Sequence, residues 1–201
     1  MNNNFVTRYL NDTKKILDCL DVNTIDSAAE QMCKAKQSSG RIFILGLGGS
    51  GANAIHFACD LRKLDNLNAF SPLENIAEFS ALINDEGPDL AFMKYLERNR
   101  IKSNDVLFVI SVGGGDKEKN VSTGLIYAIE YAKEKNCKSI SLTGREDGYA
   151  NKNCDIPILI NVQEKNYLTP QTEGVQSVIL HLIALHPLLN EVKPKWESFD
   201  E

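Results

Sequence analysis

The spacing of apolar residues changes near position 41. Before it, Phe5, Val6, Tyr9, Leu10, Ile16, Leu17 and Leu20 recur at helical intervals, and a second helical stretch covers about 24–37, after the break at Asp21, Val22 and Asn23. Residues 1–37 therefore predict a helical hairpin. From Arg41 onward the apolar residues gather in short runs at 42–45, 106–112, 139–142 and 156–162, with a weaker one at 67–70. Amphipathic segments separate them, so strand and helix alternate. Ser71-Pro72-Leu73-Glu74 reads as a helix start, with a capping serine, a proline at the first helical position and a glutamate three residues on. Thr169-Pro170 opens the last helix, whose stripe is Val175, Val178, Ile179, Leu182 and Ile183 and whose end falls near His186-Pro187.

Repeated strand-helix units demand parallel pairing through right-handed crossovers, which predicts a three-layer α/β/α body with helices on both faces of one sheet. With no repeat, low-complexity segment or second domain evident, 1–201 reads as a single domain, with its core at 38–190. Ligands in such sheets sit beyond the carboxyl ends of the strands. That rule selects the segments 46–51, 111–116 and 143–148 and the loop before Thr169.

Composition narrows the function classes. The 201 residues are 43% hydrophobic, enough for a substantial core, and the formal charge of −5 with no long Lys/Arg run excludes a non-specific nucleic-acid binder. No signal segment or membrane-length apolar run is visible, so the expected location is the cytoplasm, without membrane contact. Five scattered cysteines form no CxxC pair and read mostly as small buried hydrophobes.

The chemistry concentrates in glycine-rich loops. Gly46, Gly48, Gly49, Ser50 and Gly51 end one strand and open a helix, where backbone N–H groups and the helix's positive end can cradle an anion. Ser111, Gly113, Gly114, Gly115 and Lys117 repeat the arrangement, and Gly144 and Gly148 punctuate a third loop. Tight strand-to-helix turns would use the same glycines. The first cluster lacks GxGxxG spacing and an acidic residue ending a second strand, so no nucleotide cofactor is expected. His56 and Asp60 share a helix face, as do Glu173 and Gln176 on the last helix. Asp60 and Glu173 are thus candidate proton carriers, and His56 could orient Asp60 or join it on a metal. His181 and His186 read as packing or surface residues.

Gly46-x-Gly48-Gly49-Ser50 with Ala52, His56-Phe57-Ala58 and Leu61 resembles the first glycine loop and helix of phosphoheptose isomerases, within the SIS (sugar isomerase) family. Asn84-Asp85, Ser111, Leu142-Thr143-Gly144 and Thr169-Pro170 with the helix to His181 extend the likeness over about residues 38–190, and the hairpin at the amino end is similar too. The resemblance implies a flavodoxin-like sheet of five parallel strands. It implies interconversion of sedoheptulose 7-phosphate and D-glycero-D-manno-heptose 7-phosphate through an enediol, for lipopolysaccharide and other surface-sugar biosynthesis. It further implies a homotetramer with active sites between subunits, and zinc in the site. By position it makes Asp60 catalytic and gives His56 and Glu173 to the metal. Gly48, Gly49, Ser50, Asn53, Asn84, Asp85, Ser111, Gly113, Gly114, Gly115, Lys117 and Gln176 would contact substrate. The chain departs from the family pattern where Asp60 replaces a glutamate, Glu173 a metal-binding glutamine and Gln176 an acid-base histidine. Glutamine carries no proton near neutral pH, so Glu173 is expected to take over that work. The alternative is a non-catalytic module that binds a phosphosugar or a protein partner, as replication-initiator-binding relatives do.

Overall fold

A computed structural model describes residues 4–198; the first three residues of the expected hairpin lie outside that range. The elements run in the order α1 (Asn4–Asp18), α2 (Val22–Gln37), β1 (Ile42–Gly46), α3 (Gly48–Asp65), β2 (Ala69–Phe70), α4 (Ile76–Glu86), α5 (Ala91–Arg98), β3 (Val106–Ser111), α6 (Thr123–Glu134), β4 (Lys138–Thr143), α7 (Tyr149–Asn153), β5 (Ile156–Leu159) and α8 (Leu168–Ala184). All five strands pair in parallel in the order β2-β1-β3-β4-β5. Strand β1 is buried at every position, as its unbroken apolar run requires when helices cover both faces. Ile42, Ile44, Phe108 and Ile110 point to the face packed by α2, α3 and α8, whereas Phe43, Leu45, Leu107 and Val109 point to the face packed by α4, α5 and α6.

Arg41 and Asp105 close the amino end of the sheet. Asp105 is buried and accepts from the Arg41 main chain at 2.9 Å and from Arg41 Nη2 at 2.7 Å, fixing the start of β1 beside the start of β3. Gly40 lets the chain enter β1 there, since a Cβ would lie 2.8 Å from the Asn104 carbonyl carbon. The outer strands are short. Strand β2 has two residues, and β5 carries Pro157 opposite Ser141.

Local chemistry moves several expected boundaries. Asp21 caps α2 by accepting from Asn23 and Thr24, so this helix starts at Val22 rather than Thr24. Glu74 does reach back to the Ser71 N–H at 2.9 Å, but the chain makes only one 3₁₀ turn, Pro72–Glu74. Asn75 then leaves helical geometry and caps α4 itself by accepting from the Glu78 N–H at 3.2 Å. The second glycine cluster does not lead straight into a helix. Asp116 and Val121 form an antiparallel bridge, and α6 begins only at Thr123, after Asn120 and Ser122 have turned the chain at positive φ. Of the five cysteines, only Cys137 and Cys154 are buried; burial pushes their thiols up to about 12 and about 11, which keeps them unreactive.

Candidate functional site

Helices α3 and α8 both leave the carboxyl end of the sheet and lie side by side, with polar residues paired along their seam. At the top, Glu173 packs over the glycine turn: a Cβ on Gly49 would lie 2.5 Å from Glu173 Cδ and 2.7 Å from its Oε1. Only glycine leaves room for the carboxylate at this helix start, where the dipole favours a negative charge. One turn on, Ser50 Oγ donates to Gln176 Oε1 at 3.0 Å, Asn53 Nδ2 reaches the same oxygen at 3.3 Å, and Gln176 Nε2 donates to the Leu142 carbonyl at 3.4 Å. Farther down, His56 Nε2 lies 3.3 Å from Asp60 Oδ2 and 3.2 Å from His181 Nε2. His181 Nε2 is also 3.8 Å from the Asp60 carboxylate, and its Nδ1 lies 2.8 Å from the Ser177 carbonyl.

His56, Asp60 and His181 offer ligand atoms all within 4.8 Å of one another. Two imidazoles and one carboxylate suit a divalent transition metal with positions left open for substrate. Glu173 is not part of this trio. From Gly49 to Asp60 the helix advances eleven residues, roughly 16 Å at the α-helical rise, so Glu173 and the trio occupy opposite ends of the seam. Within one chain Glu173, expected beside His56 on a metal, does not reach this group. His181, expected as a packing or surface residue, replaces it, and the signal for it in the sequence was its place eight residues after Glu173 on one helix. His186, by contrast, faces Asp26 at 3.2 Å, away from the seam.

Other expected contacts are used internally. Gln176 is fully buried, and its amide holds helices together. Ser111 Oγ accepts from the Gly114 N–H at 3.0 Å and stabilises its own loop. Gly114 and Gly115 have φ of 73° and 89°, which the loop needs to place its carbonyls on the amino end of α7. Gly113 lies beside Arg145, which pairs with Asp147. Lys117 contacts Glu130 at 2.5 Å and holds that carboxyl below its ordinary range, while Lys119 contacts Asp116 at 2.8 Å. The lysine charge expected for a phosphate is therefore paired with acids. Asn84 and Asp85 fall in the last turn of α4, exposed and bonded to each other at 3.0 Å, and among the described residues neither bonds to the seam. Gly48 has a φ of 60° and an open face at the helix start.

Below the trio, Asp65 ends α3 fully buried, with no hydrogen-bond partner on either oxygen. Burial pushes its carboxyl up to about 7, against the pull of Lys36.

A parallel sheet in this order, with a glycine turn after β1 and an N-terminal helical pair, defines a SIS-type α/β protein. The SIS domain model matches residues 8–144, and the chain belongs to that family. Among its relatives, the phosphoheptose isomerase of Campylobacter jejuni serotype O:6 is 31% identical over 169 residues, which cover 82% of each chain. The phosphoheptose isomerase of Vibrio parahaemolyticus is 30% identical over 183 residues, covering 87% of this chain and 91% of its own. The structure of phosphoheptose isomerase from Neisseria gonorrhoeae superposes with a TM-score of 0.75 at 28% identity, covering 89% of this chain and 93% of that one.

Proposed function

We propose that this protein is a phosphosugar isomerase that interconverts a ketose phosphate and an aldose phosphate through an enediol, with sedoheptulose 7-phosphate as its substrate. The observation that carries the reading is the seam, which sets carboxylates and imidazoles on two facing helices, Glu173 at the glycine turn beyond β1 and the His56, Asp60 and His181 trio farther along. Isomerisation needs one group to move a proton between C1 and C2 and another to serve the oxygens. Asp60 with His181 supplies a carboxylate and an imidazole side by side. The competing non-catalytic reading leaned on Gln176 standing at a histidine position; His181 provides an imidazole on the same helix. The named activity of relatives at 31% and 30% identity supports the same choice.

The donor set also fits zinc, which His56, Asp60 and His181 would hold; zinc would polarise a sugar oxygen, and with it bound the proton work would fall to Glu173. Glu173 and Asp60 are too far apart on one chain to serve one C1–C2 pair. An active site that uses both would take them from two copies and lie between subunits of a homo-oligomer. The apolar side chains exposed on α1 and α8, Phe5, Val6 and Leu10 with Val178 and Leu182, support such an assembly. Among the described residues no helix is long and apolar enough to cross a membrane, and the reading includes a cytoplasmic location and a role in surface-sugar synthesis.

Incubation of the purified protein with sedoheptulose 7-phosphate, followed by detection of the aldose, tests the proposal. Turnover that His181→Ala abolishes is the expected result. No turnover with this substrate or a panel of ketose phosphates, with and without added zinc, overturns it.

A further inference from the structure

Among the described residues, no hydrogen bond or ion pair reaches the Glu173 carboxylate. A glutamate side chain has three rotatable bonds, so with nothing gripping its end, its position is set by the backbone that carries it and by its fit against Gly49. That backbone is gripped. Asn53 Nδ2 donates to the Glu173 main-chain carbonyl at 3.0 Å and to Gln176 Oε1 at 3.3 Å. A side-chain amide has two N–H donors, and both of Asn53's point to α8. Gln176, fully buried one turn after Glu173, completes the clasp through Ser50 on α3 and the Leu142 carbonyl at the end of β4.

We propose that Asn53 and Gln176 are positioning residues for Glu173: they clamp the first turns of α8 onto α3 and so hold the Glu173 carboxylate over Gly49, without donating to substrate. The proposal rests on the isomerase reading and adds to it that Glu173 serves the reaction as an acid-base group. It separates two roles that their location beside the glycine turn would otherwise merge. A donor spent on substrate would show in binding. A donor spent on Glu173 shows in the proton-transfer step, because small displacements of an acid-base group are costly in rate.

A double-mutant cycle decides between them. Asn53→Ala is expected to lower kcat about tenfold to a hundredfold with KM within about twofold of the parent. In a Glu173→Gln background the same change should have almost no further effect, since the group it positions is already gone. Equal losses in both backgrounds, or a loss confined to KM, would make Asn53 a substrate contact and overturn the proposal. Gln176→Met should repeat the Asn53→Ala pattern; if it does not fold, the Asn53 cycle stands without it. Amide hydrogen exchange gives a readout independent of turnover: Asn53→Ala should speed exchange about tenfold or more at 173–177 and leave 179–184 unchanged. Unchanged exchange at 173–177 overturns the clamp whatever the substrate. Absence of turnover with altered exchange overturns the isomerase reading and leaves the clamp standing.

Discussion

Asp65 makes the protein less stable as the pH rises, and replacing it with asparagine should remove that dependence. The carboxyl ends α3 fully buried, with neither oxygen bonded, at the helix end where the dipole disfavours negative charge. Its folded pKa is raised from 3.8 to about 7, so between those values the folded chain holds a proton that the unfolded chain has lost. Stability contributed by the neutral acid is then complete below about pH 4, declines through the window up to about 7, and is flat beyond it. Three pH units at about 1.4 kcal/mol each set an upper bound of about 4 kcal/mol. Relaxation toward Lys36, which lies close enough to oppose the shift, brings the expectation to about 2–4 kcal/mol. Asp65→Asn keeps the shape and cannot ionise. At pH 8 it should melt at least about 4 °C above the parent, and at pH 4.5 the gap should shrink to about a quarter of its pH 8 value. Paired thermal or urea unfolding curves at several pH values measure this, and the difference between the proteins cancels the titration of the three histidines. If the variant is no more stable than the parent at pH 8, Asp65 is ionised and accommodated, and the reasoning fails.

Gly49→Ala should fold and lose kcat about a hundredfold, because its Cβ displaces the Glu173 carboxylate; unchanged kinetics in a folded variant would remove Glu173 from the chemistry. Gly144→Ala should cost about 1–3 kcal/mol in urea unfolding, since its Cβ would run into Thr172 Oγ1 and lie 3.0 Å from Thr172 Cγ2. Asp105→Ala should cost about 3–5 kcal/mol by leaving Arg41 without its buried carboxylate. His56→Ala and His181→Ala should each weaken Zn(II) binding in equilibrium dialysis about tenfold or more, whereas His186→Ala should leave it unchanged.

The sheet was legible because parallel strands covered on both faces are written as apolar runs, and 42–45 and 106–112 lie within a residue of β1 and β3. Helix starts were less so. Ser71-Pro72 carries the right residues, but Asn75, a 3₁₀ turn later, competes for the same task and wins. The site was read one residue at a time, and here the sequence is weakest. Glycines at 46–51 announce a turn but not that Glu173, far along the chain, fills it. The spacing of His56 and Asp60 was visible because both lie on one helix; their third neighbour, His181, depends on how α3 and α8 are set against each other, which no local pattern encodes. Ser111 and Lys117 carried the right chemistry for a phosphate, yet each has an internal partner, the Gly114 N–H for Ser111 and Glu130 on α6 for Lys117.

Stubby margins also matter to a protein whose surface invites company. An open parallel sheet ends in two strands whose unpaired main-chain groups could recruit further strands without limit. Here one margin is only two residues long, and the other is interrupted by Pro157, which has no N–H to offer an incoming chain. Growth by strand addition is thereby discouraged on both sides. Association is left to the helical faces, where contacts between curved, patterned surfaces can close into a finite assembly instead of a fibre.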